Sequence, residues 1–484
     1  MLEKVYQDRL AKLPKIRELG IDPYGGRYDT AEAIADILAR FKDDDDSQAA
    51  DAAGRLILIR KMGNLIFAHL RDGSGQMQVG FSKKALDETA WKLAKQLLDL
   101  GDLVGVAGRL GKTKTGEVTI WADRLTLLCK SLMPMPEKFH GLVDVETRYR
   151  RRYLDLMANP QTLAAAKQRV AIIDHIRAKL NARGFLEVET PVLQPIYGGA
   201  AARPFTTHHN ALDCKLFMRI SPELYLKRLL VGGLQRVYEF SRNFRNEGLD
   251  TSHNPEFTML ELYQAYADYE VMMELTEQII HTAAEAVGGA ATLPYGELQI
   301  DYTPPWRRAT YDELLGQHAG VSLGDPAAVR QKAQQLGIEV SGKADAVVAA
   351  DVFGVEVERH LVQPTFVVDY PAQLCPLTRP KPDDPTLALR FELYVAGMEI
   401  ANAYTELNDP AVQEANFRQQ VAGEKCDETM RVMDEDFLLA LRHGMPPAGG
   451  LGLGIDRLVM LLTNRTSIRD VILFPMLRPR GGDQ

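Results

Sequence analysis

At 484 residues the chain is longer than one ordinary hydrophobic core organises, and a prior of about 150 residues per domain points to two domains. Its 46% hydrophobic and 25% charged residues match a soluble globular composition, and no apolar run approaches the ~20 residues of a membrane span. A net charge of −8 argues against a protein that coats nucleic acid indiscriminately, although RLILIRK (Arg55 to Lys61) and RYRRRY (Arg148 to Tyr153) offer local basic surface for a polyanion or, equally, solvated faces.

The N-terminal segment MLEKVYQDRLAKLPKIREL has helical spacing to about Leu19 and lacks the apolar block and cleavage site of a signal peptide, so a cytoplasmic location is expected. IDPYGGRYDT breaks that helix, AEAIADILARF forms a second, and Asp43 to Asp46 reads as a solvated loop. From Ala52 to about Cys129 the pattern turns to short β segments, with turn signals at Asp72-Gly73 and Thr115-Gly116 and a helix around Asp87 to Leu100. Five strands with a helix between the third and fourth outline an OB-fold, which binds single-stranded nucleic acid, or any other small barrel. Pro134, Pro136 and Pro160 mark a linker, after which helices such as TLAAAKQRVAIIDHIRAKLNARG alternate with strands. Cys129, Cys214, Cys375 and Cys426 are scattered and read as reduced thiols, while His208-His209 has no partner ligands nearby and reads as loop, so no zinc is assigned. With no GxGxxG or GxxxxGK[ST], a Rossmann or P-loop nucleotide site is disfavoured.

The densest chemistry lies in SRNFRNEGLDTSHNPEFTMLE, Ser241 to Glu261, a strand-loop-strand carrying the parts of a triphosphate clamp. Arg242 and Arg245 offer guanidiniums to phosphate or carboxylate oxygens, Glu247 can accept from an exocyclic amine, and Phe257 presents a face for stacking. Upstream, ARGFLEVETPVL runs from a helix end through Gly184 into a strand ending at Pro191; downstream, GGLGLGIDRLVMLL delivers Arg457 at the start of an amphipathic helix.

In this order the three segments resemble motifs 1, 2 and 3 of the class II aminoacyl-tRNA synthetases, and HNPEFTMLELYQAYADY, FELYVAGMEIANAYTELNDP and GGAAARPFTTHHN resemble the lysyl members of that family. The resemblance implies an α+β protein with residues 1–50 as an N-terminal helical extension, 51–130 as an OB-fold anticodon-binding domain, 131–160 as linker, and 161–484 as a catalytic domain with a mostly antiparallel sheet flanked by helices. Motif 1 builds the dimer interface in the family, so a homodimer is expected.

The same resemblance implies an ATP-dependent ligase activity with L-lysine, ATP and tRNA as partners and Mg²⁺ as cofactor, and it implies the following roles for the site. Arg245 bridges the lysine carboxylate and the α-phosphate; His253 and Arg457 hold the outer phosphates; Glu247 takes the adenine amine; Phe257 and Arg457 sandwich the ring; and Asn254 completes the nucleotide site. Glu392 and Glu399, seven apart, match the metal ligands, although such a pair alone is more often surface charge. Selecting lysine needs a desolvated acid for the ε-ammonium, which falls to Glu406 with Tyr263 as its partner and Tyr404 along the aliphatic stem. Gly199, Glu223 and Glu261 match positions around the α-amino group and Asn402 a polar pocket contact, Glu223 being also readable as a helix N-terminal acid. On the barrel, Arg60, Phe67 and Glu117 match the anticodon contacts, with a core position as the other reading of Phe67. Ala401 and Ala403 stand where some bacterial members have glycine, and Tyr197 where proline is common. The competing readings are an aspartyl- or asparaginyl-tRNA synthetase, whose pocket is basic; a lysine-transferring relative without a barrel; and a catalytically inactive tRNA-binding protein, against which the intact charged set argues.

Overall fold

The structure is a computed structural model, which describes residues 2–135, 142–200, 202–422 and 433–479, with the side chains of residues 420–422 outside the description. The chain forms two compact units, Met1–Val143 and Asp144–Gln484. Cys426 lies outside the described residues; the other three cysteines are free thiols.

In the first unit, strands β1 (Ala49–Met62), β2 (Leu65–Arg71), β3 (Gln76–Ser82), β4 (Leu103–Lys112) and β5 (Val118–Cys129) close into a barrel in the order β1-β2-β3-β5-β4. A helix, Glu88–Lys92 continued by a π-helical turn Leu93–Leu97, sits between β3 and β4, as the OB outline requires. The alternation of β2 decides Phe67: Ile66, Ala68 and Leu70 are buried in the barrel core, so Phe67, between Ile66 and Ala68, lies on the outer face. The expected N-terminal helix is two, Leu2–Leu10 and Lys12–Glu18. In the acidic run, Asp43 pairs with Lys112 and Asp45 accepts from the backbone N–H of Ser47.

The second unit carries strands β6 (Leu186–Glu187), β7 (Leu193–Gln194), β8 (Thr206–His209), β9 (Cys214–Met218), β10 (Arg236–Phe244), β11 (Glu256–Ala265), β12 (Thr292–Tyr295), β13 (Leu298–Asp301), β14 (Arg307–Thr310), β15 (Thr365–Pro371), β16 (Leu387–Val395), β17 (Met398–Thr405) and β18 (Ala448–Gly454). Its main sheet runs β14-β15-β16-β17-β18-β11-β10-β6, antiparallel except where β14 meets β15 and β6 meets β10. The His208-His209 pair, expected in a loop, belongs to β8, which pairs with β9 through His208↔Lys215 and His209↔Cys214; the β-branched Thr206-Thr207 start favours the extended state.

The sheet's two faces divide the labour by the two-residue period of a strand. Leu260 and Leu262 of β11, Phe391, Leu393 and Val395 of β16, Ala401 and Ala403 of β17, and Leu451 and Leu453 of β18 share one core with the helices Pro160–Ala182, Tyr269–Gly288 and Ile455–Leu462. That last helix, expected to be amphipathic, is buried at seven of its eight residues, with Arg457 alone half-buried. Glu261, Tyr263, Arg390, Glu392, Asn402, Tyr404, Gly450 and Gly452 alternate with these core residues and take the other face.

Candidate active site

Registration on that face explains why glycines recur in β18. Tyr263 and Tyr404 both pair with Gly450, and Glu261 and Asn402 both pair with Gly452, so two bare positions form a floor between rows of functional side chains. A Cβ at Gly450 would stand 2.0 Å from Glu406 Oε1 and 2.5 Å from Tyr263 Cε1. The missing side chain makes room for Glu406 and Tyr263 to lie over the strand.

At one end of the face, β10 and β11 hold the loop between Phe244 and Glu256 in register, and a cleft opens there lined by Arg245, Glu247, His253, Asn254, Phe257, Glu399, Asn402 and Arg457, among others. The Arg245 guanidinium lies over the Phe257 ring at 5.1 Å, and its Nε is buried with no hydrogen-bond partner among the described residues, a donor left over for a ligand. His253 Nδ1 meets Asp250 Oδ2 at 2.8 Å and its Nε2 lies 3.0 Å from an Arg457 Nη, while Arg457 donates to the Glu399 carbonyl at 2.6 Å. Asn254 is buried and spans the backbone of Glu256 and Met476. Glu247 is exposed at the rim.

Below this cleft lies a buried acid cluster. Ser221 donates to Glu261 at 3.0 Å, and Gly199, at φ +86, lies so close that a Cβ there would crowd Ser221 and Glu223 at 3.0 Å. Burial, then the charge of Glu223, pushes the Glu261 carboxyl up to about 8. Glu406, 1% exposed, sits at the far end beside Tyr263 and Gly450, and burial raises its pKa against the opposing pull of Lys227. Tyr404 is walled by the Arg390 guanidinium at 5.4 Å.

The structure thus brings Arg245, Glu247, His253, Asn254, Phe257, Glu399, Asn402 and Arg457 around one cleft, and Gly199, Glu223, Glu261, Tyr263, Tyr404 and Glu406 into the adjoining cluster. Glu392 stands apart: it lies outside the cleft lining, held by Arg390 and by the hydroxyls of Tyr370 at 2.8 Å and Tyr394 at 2.7 Å. Its charge is nonetheless felt nearby, for burial, then Glu392 and Glu399, push the Glu358 carboxyl up to about 6. Sequence reasoning missed several supporting residues. Asp250 orients His253 from three residues upstream; Asp456 accepts from Arg169 and from the Thr258 amide, tying the helix after β18 to the Pro160–Ala182 helix and to β11. Lys227 was also missed, although its spacing of four from Glu223 on a helix was a readable pairing signal.

On the barrel, Arg60 and Phe67 are directly paired across β1 and β2, and with Glu117 they line one groove that also includes His69, Gln78 and Trp121. Glu117 accepts from Gln78 at 2.7 Å and meets His69 at 2.8 Å, and Trp121 packs edge-on to Phe67 at 5.8 Å.

A catalytic sheet with a glycine floor and an arginine-lined cleft, following an OB barrel, defines a class of protein, and comparison with known families agrees: residues 144–478 match the tRNA synthetases class II (D, K and N), and residues 52–128 match the OB-fold nucleic acid binding domain. The chain belongs to the class II tRNA synthetase family. Within it, the chain is 49% identical over 484 residues to the lysine–tRNA ligase of Carboxydothermus hydrogenoformans, with 99% of each chain covered. It is 50% identical to those of Pelotomaculum thermopropionicum, covering 99% of this chain and 96% of the relative, and Moorella thermoacetica, covering 98% and 97%. Among the described residues no helix is long and apolar enough to cross a membrane.

Proposed function

We propose that this chain is a lysine–tRNA ligase, which activates L-lysine with ATP to lysyl-adenylate and pyrophosphate and then passes lysine to the 3′ end of tRNA. The observation that carries the reading is the buried Glu406 in the acid cluster on the same sheet face as the cleft that Arg245 lines: an amino acid held by its carboxylate at Arg245 and reaching Glu406 must carry a cation at its tail.

In this reading Arg245 holds the lysine carboxylate against the α-phosphate, so that a carboxylate oxygen attacks phosphorus as the bond to pyrophosphate breaks. The tRNA terminal hydroxyl then attacks the carbonyl and AMP leaves. Arg457 and His253, linked to each other and steadied by Asp250, balance the charge of the departing phosphates. Phe257 stacks on adenine and Glu247 takes its amine. Glu261, Glu223 and Gly199 receive the α-ammonium, and Tyr263, Tyr404, Asn402 and Glu406 the side chain. Catalysis is orientation and charge, with no protein nucleophile.

Glu392 and Glu399 offer the hard oxygen donors a divalent cation takes, and both act on the Glu358 carboxyl, with Glu392 already paired to Arg390. Mg²⁺ bound there would neutralise phosphate charge. The barrel reads the anticodon through Arg60, Phe67 and Glu117, and the enzyme works as a cytoplasmic homodimer. The dimer is supported by exposed Leu186 and Leu193, about half accessible, on the segment after Gly184.

The test is ATP–pyrophosphate exchange with lysine, aspartate and asparagine offered separately, then charging of tRNA. Exchange with lysine alone is expected. Exchange driven by aspartate or asparagine would overturn the pocket assignment, and none at all would leave a binding protein.

A further inference from the structure

Two of the acids assigned to the substrate are already bridged by a lysine of the protein. Lys227 lies one turn after Glu223 on the helix Glu223–Val231 and is fully buried. Its Nζ is 2.6 Å from Glu223 Oε1 and 2.5 Å from Glu406 Oε2, and 6.0 Å from the centre of the Tyr263 ring.

Counting charge shows what this bridge does. The pocket buries three carboxyls, Glu223, Glu261 and Glu406, against one ammonium, Lys227. Zwitterionic lysine brings two ammonium groups, and its carboxylate goes to Arg245, outside the cluster. One resident and two incoming cations balance three carboxylates, whereas two cations alone would leave a buried carboxylate uncompensated. A substrate with one ammonium, such as a neutral-side-chain amino acid, leaves the same deficit.

Resting on the reading above, we propose that Lys227 is a positioning residue for substrate selection: it stays on Glu223 and shares Glu406 with the incoming ε-ammonium, so that the pocket is preset for an amino acid bearing two cations. The groups facing this bridge are Glu223 from the same helix, Ser221 just before it, Glu261 and Tyr263 from β11, and Tyr404 with Glu406 from β17 and just beyond, Arg390 lying behind Tyr404. Burial pulls Lys227 down, but Glu223 and Glu406 outweigh it and push the ammonium up to about 12. In turn Lys227 is the chief influence opposing the upward push of burial on Glu406.

The experiment is ATP–pyrophosphate exchange against pH with lysine varied, for wild type, Lys227→Gln and Lys227→Arg. The acid limb of kcat/KM for lysine reports the carboxyls of the free pocket. Lys227→Gln is expected to lower kcat/KM at least about tenfold, through KM, and to move the acid limb up by about one pH unit, while Lys227→Arg leaves the limb in place. A folded Lys227→Gln with the wild-type limb overturns the proposal, as does an Arg variant whose limb moves as far as that of Gln. Should Lys227→Gln not fold, a crystal structure of wild type with lysine decides. Lys227 Nζ within hydrogen-bond distance of Glu223 and of the Glu406 that also receives the ε-ammonium supports the inference; Lys227 turned away from both acids refutes it. Lysine exchange with an unmoved limb sinks this inference alone, whereas wild type exchanging with a different amino acid sinks the functional reading first.

Discussion

Gly450→Ala adds one methyl group and tests the floor of the pocket. Gly450 does not have the left-handed backbone of Gly199, so the change is steric. The new Cβ would sit 2.0 Å from Glu406 Oε1 and 2.5 and 2.7 Å from two Tyr263 ring carbons, where ordinary contact needs more than 3 Å, so something must move by over about 1 Å. Glu406 has little freedom, since its other oxygen lies 2.5 Å from Lys227, and Tyr263 is only 3% exposed. Overpacking of this kind costs about 1 to 3 kcal/mol, and at 1.36 kcal/mol per decade that is roughly a 5- to 150-fold loss in kcat/KM for lysine. Exchange assays varying lysine and ATP in turn should place the loss on lysine, because the cleft proposed for ATP is lined by Gly452 and Gly454 instead. A folded Gly450→Ala with a lysine KM within twofold of wild type would refute the pocket geometry.

Glu406→Gln removes the acid at the tail end; lysine-dependent exchange should fall at least about a hundredfold, and a variant that keeps wild-type kcat/KM removes Glu406 from selection. Because Glu261 is held protonated to about pH 8 in the free pocket, whereas an unfolded glutamate ionises near 4.5, the folded state carries the extra proton and the free protein loses stability as pH rises across that window. Lysine favours the ionised carboxyl, so its thermal protection should grow from pH 6 to 8 with protons released on binding; calorimetry in two buffers showing no release would contradict this. Asp456→Asn breaks a buried pair with Arg169 and should lower the thermal midpoint by several degrees, with an unchanged midpoint showing that the pair is idle. Phe67→Ala should raise the KM for tRNA by about 5- to 150-fold, from a stacking loss of about 1 to 3 kcal/mol, and leave pyrophosphate exchange untouched. Equal loss in both assays would mean a folding defect rather than a lost contact.

The parts of the site that sequence revealed are those with a local signature. Arg245, Glu247, His253 and Phe257 sit in one short loop and strand, and Arg457 follows a glycine run, so chain order alone brought them to notice. The barrel announced itself through turn spacing. What sequence could not supply was which residues meet across strands. Gly450 reads as part of any glycine-rich strand until register places Tyr263 and Tyr404 on either side of it. Lys227 offers only its spacing of four from Glu223 until the fold buries it between Glu223 and Glu406. Glu392 read as one of two equal metal ligands, and only packing shows it bound to Arg390, Tyr370 and Tyr394 while Glu399 lines the cleft. His208 and His209 were misplaced because a two-histidine pair carries no strand signal of its own; pairing with β9 makes it one.

Under the proposed function, the arrangement along the sheet face would orient an amino acid before any chemistry begins. Arg245, Arg457 and His253 gather cationic and donor groups at one end, and Glu261, Glu223 and Glu406 gather carboxyls at the other, with an apolar core on the opposite face keeping water from that side. A zwitterion whose side chain carries a second cation finds a complementary charge at each of its three ends only in one direction. Reversed, its carboxylate would face three acids, and its ammonium groups the arginines. The same gradient explains why Lys227 must be buried where it is. Without a resident counter-ion Glu223 and Glu406 would either take up a proton, as Glu261 does, blunting the acid end, or repel each other and loosen the helix that carries Glu223. One fixed cation between Glu223 and Glu406 would preserve the gradient while leaving a net deficit that only a doubly cationic substrate fills.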